Sequence, residues 1–291
     1  TIDNTNSKLT LAEYAQNRNN SDTKTALEVL FKDDSATKNE LLKILNIIEK
    51  WFIRRHLTNN PSTGRLDQIF MDIVNQIEPI IKNNNETISI EKSDKSLIEI
   101  IENELVKEKT PYNTINEINS KLSGNIYDDN SSLTMYLLVM LERNLNGWIN
   151  REDVQQIYFW DTFKDNTKIT PVWSVEHILP QSPKKGTDWF DWWTENEMEN
   201  YVHKLGNLTL TGFNGRLSNK SFKDKKELEK TIVKDTKTII EFVGYTSGKI
   251  KLNDTVKTEL KWTKTEINKR TNILISEIIK MLKYSYENDP K

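Results

Sequence analysis

Apolar residues recur at helical spacing through the first third of the chain. One such run extends from Asn39 to His56, a turn-forming segment follows at 59–64, and a second run continues to Lys82. A polar stretch separates them from a third run at 97–105. The apolar positions are Leu41, Ile44, Leu45, Ile48, Trp51, Phe52, Leu66, Ile69, Phe70, Ile73, Ile77, Ile80, Leu97, Ile98, Ile101 and Leu105. The spacing predicts a helical hairpin and a further helix, each burying one face.

The second half of the chain also contains helical patterns. Residues 128–132 offer several side chains suited to an N-cap immediately before the apolar run Leu133–Leu141, which predicts a buried helix. A long C-terminal amphipathic pattern comprises Val256, Leu260, Ile267, Leu274, Ile278 and Leu282. No repeat of fixed period accompanies these patterns.

The pattern changes between Ile169 and Thr211. Residues with β-branched side chains alternate with polar ones there, aromatic residues cluster, and two prolines interrupt the segment. This composition predicts a short core like a β-hairpin within otherwise helical sequence. The expected organisation is a helical module at 1–125 and a second module at 126–291.

Composition limits the chemistry available to the 291 residues. Cysteine is absent, which excludes disulfides, a thiol nucleophile and cysteine-ligated zinc, so any metal must bind oxygen or imidazole. The formal net charge is only −2, so a surface for nucleic acid must be a local patch. The apolar runs are too short to span a membrane, and residues 1–7 are too polar for a signal peptide. A soluble cytoplasmic protein is expected, and the missing initiator Met suggests a fragment or a processed product.

The residues with catalytic potential fall into two short segments. Three histidines occur, and His177 lies beside Glu176 in Val-Glu-His-Ile-Leu-Pro-Gln (175–181), at the end of a predicted strand. The second segment, His-Lys-Leu-Gly-Asn-Leu-Thr-Leu-Thr-Gly-Phe-Asn (203–214), alternates as a half-buried strand should. Asn214 then opens a segment that leads into a lysine-rich run. The predicted order is strand, strand, helix.

The segments VEHILPQ and HKLGNLTLTGFNGRLSNKSF resemble the HNH nucleases of the ββα-metal fold. They resemble more closely the C-terminal nuclease module of GmrSD-type modification-dependent restriction endonucleases, and WFIRRH (51–56) and LDQIF (66–70) resemble the same group upstream. The resemblance implies a mostly α protein with a small ββα-metal core at about 170–230. Two departures are a long gap between His177 and Asn207, and an asparagine where the helix commonly supplies a histidine ligand.

The resemblance implies a role for each residue that matches the motif. His177 would be the general base that deprotonates the attacking water, and Asn207 would hold the loop that carries this base. Glu176 and Asn214 would be the metal ligands, with Asn219 as a rival for the helix position. Because these ligands are oxygen donors, Mg²⁺ or Mn²⁺ is expected as the cofactor in preference to Zn²⁺.

Cationic side chains near the motif are candidates for binding the phosphates that flank the cleavage site. They are Arg216, Lys220 and Lys226. Between residues 220 and 230 lysines alternate with acidic residues, so most of this run is expected to form a solvated helix face.

The implied activity is metal-dependent hydrolysis of double-stranded DNA, plain or modified, by an HNH endonuclease or nickase of a bacterial anti-phage restriction system. The resembled group joins this nuclease to a nucleotide-hydrolysing or sensing module upstream. No phosphate-cradling glycine-rich loop occurs here, so such a module is expected outside this chain, and no membrane partner is expected. The alternative is a non-catalytic DNA-binding or protein-interaction module on a degenerate HNH scaffold. A purely structural scaffold would make the Glu176, His177 and Asn214 constellation a coincidence.

Several other residues have ordinary structural interpretations. His203 stands just ahead of a strand and is expected to be a surface or packing residue, although it could also coordinate a metal or contact phosphate. The basic cluster at 54–56 is expected to complement the dipole at the end of its helix, although it could also bind phosphate or signal between modules. The tryptophans between Trp189 and Trp193 are expected to fill a core or a module interface, although they could also stack on bases.

Overall fold

The structure is a computed structural model that divides into two compact units. The first comprises Thr1–Ile118 with Leu282–Lys291, and the second comprises Asn119–Met281. The residues that the structure describes are 38–82, 97–106, 113–146, 162–165, 168–171, 173–211, 214–234, 237–242, 244–246 and 250–284.

The first unit is built on three helices, as the apolar spacing predicts. They are α1 (Lys38–Thr58), α2 (Leu66–Lys82) and α3 (Leu97–Val106). Trp51 is fully buried at their centre, where its indole Nε1 donates to Leu105 O at 2.7 Å and its ring meets Phe70 edge-on. Asn59 follows α1 with φ of 58°, and its N–H donates to Arg55 O, so an asparagine in the left-handed region ends this helix. The predicted helical hairpin and third helix are confirmed.

Two short helices and one longer helix follow along the chain. They are α4 (Ile115–Leu122), α5 (Ile126–Asp129) and α6 (Ser131–Asn146). A 3-10 turn at Thr63–Arg65 lies earlier in the chain, directly before α2. The predicted cap of α6 is confirmed, because Asn130 Oδ1 accepts a hydrogen bond from Leu133 N at 2.9 Å. Near its other end, buried Glu142 accepts the N–H groups of Lys251 and Leu252 at 2.8 Å each, and burial raises the pKa of this carboxyl.

The described strands form three antiparallel pairs. They are β1 (Thr162–Asp165) with β2 (Lys168–Pro171), β3 (Ser174–His177) with β4 (Leu208–Thr211), and β5 (Glu229–Lys234) with β6 (Lys237–Phe242). In the central pair Ser174 lies opposite Thr211 and His177 lies opposite Leu208. Two short helices come directly after β4, namely α9 (Asn214–Leu217) and α10 (Phe222–Glu227). The predicted class, mostly α with a small ββα motif, is confirmed.

The pair β5–β6 corrects the sequence prediction, which placed helical composition throughout the region beyond Asn214. Residues 231–233 and 238–240 are all β-branched, and this property favours strands over helices. The lysine-rich appearance of the region concealed that signal.

The predicted C-terminal pattern forms two helices rather than one continuous element. They are α11 (Asp254–Lys257) and α12 (Lys264–Leu282), with a 3-10 turn at Lys251–Asn253 before them. Val256, Ile267 and Leu274 are buried as predicted, but Leu260 is 91% exposed. Leu260 lies between the helices, where the chain is not helical, so the helical spacing does not direct its side chain inward.

Tryptophans fill the core of the second unit. The short helices α7 (Trp189–Trp192) and α8 (Glu195–Tyr201) lie in the long gap between the two motif segments. Trp189 is fully buried and donates to Lys220 O at 2.9 Å, and Trp193 donates to Trp262 O at 2.7 Å. Packing is therefore the role of both side chains. Among the described residues no helix is both long and apolar enough to cross a membrane.

Candidate active site

His177 is the last residue of β3 and the centre of the candidate site. Its side chain is 7% exposed, and the chain turns away immediately after it at Ile178 and Leu179, both of which are fully buried. Strand pairing with Leu208 fixes the backbone on one side of this turn. The imidazole therefore projects from a rigid strand end, and a rigid element holds a reactive group more precisely than a free loop does.

Asn207 holds the turn that follows His177. The Asn207 side chain is completely buried, and its Oδ1 accepts from Leu179 N at 2.7 Å and from Trp262 Nε1 at 3.0 Å. Its Nδ2 donates to Leu179 O at 3.0 Å and to Val202 O at 2.8 Å. With both amide donors and the carbonyl oxygen engaged, this side chain has one orientation available. The Asn207 side chain therefore ties the turn after His177 to the segment before β4, and the role that the resemblance implies for it stays a prediction.

The His177 imidazole is surrounded by polar and aromatic groups. Its Nε2 lies 3.2 Å from His203 Nδ1, and the Gln181 amide nitrogen lies within 3.3 Å of both ring nitrogens. The Tyr127 ring meets the imidazole edge-on at 4.6 Å. Burial lowers the pKa of His177 from 6.5 to about 3, and the charges of His203 and Lys225 add to this effect. The imidazole is therefore neutral near pH 7 and retains a lone pair that can accept a proton.

The structure places His203 against His177, a contact that the interpretation of His203 as a surface or packing residue did not anticipate. Its Nε2 lies 3.5 Å from Asp128 Oδ1, and its ring is stacked with that of Tyr127 at 5.5 Å and 9°. Asp128 and Tyr127 belong to α5, and Tyr127 N donates to His203 O at 3.4 Å. No spacing in the sequence joins α5 to the segment before β4, so sequence reasoning had no signal for this contact.

Glu176 points to the other face of β3, as strand alternation requires. Its carboxylate is 2% exposed, and Oε1 accepts from Lys225 Nζ at 2.6 Å and from Tyr245 OH at 3.0 Å. Lys225 Nζ also donates to His177 O at 2.7 Å. Burial raises the pKa of Glu176 and lowers that of Lys225, and their attraction opposes both changes. Lys225 is thus buried, although the sequence suggested a solvated helix face for its lysine run.

The described side chains do not fit a divalent cation at this point. The ammonium of Lys225 is bound to the Glu176 carboxylate, which the resemblance implies as a metal ligand. Glu176 and His177 also lie on opposite faces of β3. Asn214 is the first residue of α9, but its side chain lies outside the described set. In the part of the chain that the structure describes, no three His, Asp or Glu side chains come together in a cluster that could hold a metal.

The predicted phosphate-binding residues differ in their exposure. Arg216 and Lys220 are exposed, on α9 and in the turn after it, and Asn219 is exposed between them. Lys226 is half-buried, because its Nζ donates to Glu259 O at 2.6 Å and lies 5.5 Å from the centre of the Phe222 ring. Arg216 and Lys220 are therefore the better placed to meet a ligand from solvent.

The basic cluster at 54–56 is structural within the first unit. Arg54 is 2% exposed, and its guanidinium donates to Asn113 O and Oδ1 at 2.9–3.2 Å. Arg55 is 5% exposed and donates to Pro61 O at 3.1 Å. His56 Nδ1 lies 2.7 Å from Phe52 O. The cluster serves mainly to bind loop carbonyls, which goes beyond the helix-dipole role suggested by the sequence.

Comparison with known proteins adds one finding. The sequence profile of the family described as GmrSD restriction endonucleases, C-terminal domain, matches residues 81–277. The matched range contains both strands β3 and β4, the helices that follow them, and every residue of the candidate site. No curated protein matches the chain.

Proposed function

Because the chain belongs to the GmrSD restriction endonuclease C-terminal domain family, we propose that it hydrolyses phosphodiester bonds of DNA with His177 as the general base. Family membership gives the coarse assignment, a nuclease-related role in restriction. The finer assignment rests on one observation above all. His177 is neutral near pH 7 and lies at a strand end. The turn that follows is held by two hydrogen bonds between Leu179 and the Asn207 side chain, which is itself fixed by hydrogen bonds to Trp262 and Val202.

The proposed reaction uses the His177 lone pair to take a proton from water. The resulting hydroxide attacks phosphorus, the bond to the 3′ oxygen breaks, and solvent supplies the proton that this oxygen takes up. A pKa of about 3 describes a weak base, but a phosphate close to the ring stabilises the imidazolium and raises the pKa. His177 therefore becomes a stronger base when DNA is bound than when the site is empty of substrate.

The proposed DNA contacts involve the exposed cations after β4. Arg216 and Lys220 lie on α9 and in its following turn, within the same ββα motif as His177. Contacts with phosphate fix the register of a duplex without reading its sequence. We propose double-stranded DNA, plain or modified, as the substrate, and a bacterial anti-phage system in the cytoplasm as the setting, with a nucleotide-hydrolysing or sensing module supplied from outside this chain.

Metal dependence by Mg²⁺ or Mn²⁺ is part of the proposal, because restriction endonucleases of this kind generally use divalent cations. Glu176 and Asn214, with Asn219 as the rival of Asn214, are the proposed ligands. For Glu176 this role requires Lys225 to leave its carboxylate, which is a substantial rearrangement of a buried ion pair. No step of the proton transfer by His177 depends on that rearrangement.

The Glu176–Lys225 ion pair also favours a second candidate function. A carboxylate already neutralised by a buried ammonium has little affinity for a cation, so the chain would then be a DNA-binding or protein-interaction module without metal-dependent cleavage. Its exposed Arg216 and Lys220 would bind phosphate in either case.

A plasmid assay distinguishes the two functions. Supercoiled plasmid is incubated with the wild-type chain, His177→Ala and the control His56→Ala, in Mg²⁺, in Mn²⁺ and in a chelator. We expect metal-dependent nicking by the wild type and the control, and a loss of about 10³-fold or more in His177→Ala because the base is removed. Equal nicking by all three proteins would contradict the role of His177. Plasmid binding without cleavage under every condition would favour the binding module.

A further inference from the structure

Three ionisable side chains form a continuous series at the candidate site. Asp128 Oδ1 lies 3.5 Å from His203 Nε2, and His203 Nδ1 lies 3.2 Å from His177 Nε2. His177 is 7% exposed, whereas the Asp128 side chain is 65% exposed, so the series leads from solvent to the proposed base. His177 is therefore joined to two residues, His203 and Asp128, to which the resemblance assigns no role.

The order of groups in this series determines where the hydrogen of each ring lies when the ring carries only one. A carboxylate can only accept a hydrogen bond, so Asp128 favours the form of His203 that carries its hydrogen on Nε2. His203 Nδ1 then carries a lone pair and can only accept. His177 Nε2 must accordingly donate, which leaves His177 Nδ1 without a hydrogen. A carboxylate that orients a histidine in this way selects one of its two tautomers.

Aromatic packing holds the two imidazoles in the orientation in which His177 Nε2 can donate a hydrogen bond to His203 Nδ1. Tyr127 stacks on His203 and meets the edge of His177, and the planes of the two imidazoles are nearly perpendicular at 83°. Both Tyr127 and Asp128 belong to α5, and the backbone N–H of Tyr127 donates to His203 O. A single short helix thus positions the carboxylate and the ring that confines both histidines.

Gln181 does not decide the tautomer, because its amide nitrogen is almost equidistant from the two nitrogens of His177, at 3.3 Å from Nδ1 and 3.2 Å from Nε2. Its side chain is exposed and can move aside for a water molecule. The selection therefore depends on His203 and Asp128.

We propose that His203, oriented by Asp128, is a positioning residue that keeps the hydrogen of His177 on Nε2 and leaves Nδ1 as the atom that accepts the proton of the attacking water. The catalytic part of this proposal rests on the proposed function. The selection of the tautomer does not, because it follows from the resting contacts of the three side chains. After Nδ1 takes a proton from water, His177 Nε2–H still donates to His203, so the positive charge is formed in a ring that is already held.

The first measurement is the tautomer of His177 by nuclear magnetic resonance on the full chain with ¹⁵N-labelled histidine, at about pH 8, above the usual histidine pKa. The chain has three histidines, so their signals can be assigned by replacing each one in turn. We expect the Nε2–H form of His177 in the wild type. In Asp128→Asn the side-chain amide can donate to His203, so we expect a shift toward the Nδ1–H form. Asp129→Asn, the same change at the exposed neighbouring position, should leave the signal as in the wild type.

The second measurement compares plasmid cleavage rates. We expect His203→Ala to lose about 10²-fold and Asp128→Asn about 3- to 10-fold, because a base in the wrong tautomer is idle for part of the time. His203→Gln should recover most of the loss, because its carbonyl oxygen can accept from His177 Nε2, and Asp129→Asn should cleave normally. Recovery by glutamine separates positioning from a general effect on folding, which urea unfolding of each variant checks independently.

The results of these two measurements test the positioning role of His203 separately from the proposed function. An Nδ1–H tautomer in the wild type would overturn it whatever the cleavage assay shows. The expected tautomer combined with normal cleavage by both His203 variants would overturn the positioning role. Absence of cleavage by the wild type would overturn the proposed function and the catalytic part of this proposal, while the tautomer measurement would still decide the selection by Asp128.

Discussion

At the scale of single residues, burial gives His177 properties that its sequence position alone does not. An exposed histidine is protonated in part near pH 6.5, but His177 is 7% exposed and its pKa is lowered to about 3. The cost of burying an imidazolium is the main cause, with the charges of His203 and Lys225 secondary. The folded protein therefore keeps His177 neutral near pH 7.

The lowered pKa predicts how stability changes with pH. The unfolded chain takes up a proton at His177 near pH 6.5, and the folded protein takes it up only near pH 3. The contribution of His177 is therefore fully present above about pH 6.5 and is lost as the pH falls toward 3, by at most about 1.4 kcal/mol for each pH unit. Urea unfolding of the wild type and of His177→Asn at several pH values gives the unfolding free energy of each protein. The difference between the two values measures the contribution of His177, because the titration of carboxyl groups affects both proteins nearly equally. Parallel curves for the two proteins would contradict the lowered pKa.

At the scale of elements, α12 supports the segment that carries Asn207. Arg270 on α12 is 2% exposed, and its guanidinium donates to Gly206 O and Leu208 O at 2.7 Å each and to Leu252 O at 3.0 Å. Burial lowers the pKa of Arg270 to about 10, which leaves it charged at neutral pH. The 3-10 turn Leu205–Asn207 is thus tied to the long C-terminal helix on one side and to the turn after His177 on the other.

Gly206 makes this support possible because it has no side chain. A Cβ atom there would lie 2.1 Å from Ile267 O and 2.7 Å from Thr271 N, and neither backbone atom can move without displacing α12. We expect Gly206→Ala to reduce the free energy of unfolding by about 3 kcal/mol or more. Urea unfolding checks this value.

Gly64 provides the matched control for that substitution. A Cβ atom at Gly64 meets nothing within 4 Å, so Gly64→Ala should be neutral or stabilise the protein by about 0.4–1 kcal/mol. Equal unfolding free energies for the two alanine variants would show that α12 does not depend on close approach at Gly206.

At the scale of the whole molecule, charge distribution matters more than net charge. With a formal net charge of −2 the protein has no strong overall attraction for DNA, so binding must come from local cations. Arg216 and Lys220 are exposed within the ββα motif, whereas Lys225 and Lys226 form hydrogen bonds with other parts of the protein.

This distribution predicts the salt dependence of DNA binding. The variant with both Arg216→Glu and Lys220→Glu should bind a labelled duplex more weakly, and its slope of log K against log salt should be shallower by about 0.9 for each phosphate that the variant no longer neutralises. The control Lys261→Glu makes the same kind of change at an exposed site outside the ββα motif and should keep the wild-type slope. Fluorescence titrations in a chelator over a range of salt measure the slopes. An unchanged slope in the double variant would place the DNA-binding surface elsewhere.

The match to the family begins at residue 81, within the first compact unit, and ends at residue 277 on α12. It therefore includes the end of α2 together with α3 and most of the second unit. The module boundary that the sequence places near residue 125 stays a prediction. The two compact units divide after Ile118.

The sequence alone determined the features that depend on neighbouring residues. Helical spacing predicted α1, α2 and α3, because three or four positions suffice to define a buried face. The segments around His177 and Asn207 likewise contain their chemistry and their strand alternation within a few residues, so the ββα order could be predicted. The spacing was misleading at Leu260, where it continued beyond the helix that it describes.

Only the tertiary structure decided which distant side chains meet. Lys225 reaches Glu176 across 49 positions and His203 reaches His177 across 26, and neither contact leaves a pattern in either segment. Burial then changed what these residues can do, since it made Lys225 an internal ion-pair partner and kept His177 neutral. Local sequence fixes backbone preferences and types of side chain, but pKa values, ion pairs and proton positions depend on the surroundings, which exist only after the chain has folded.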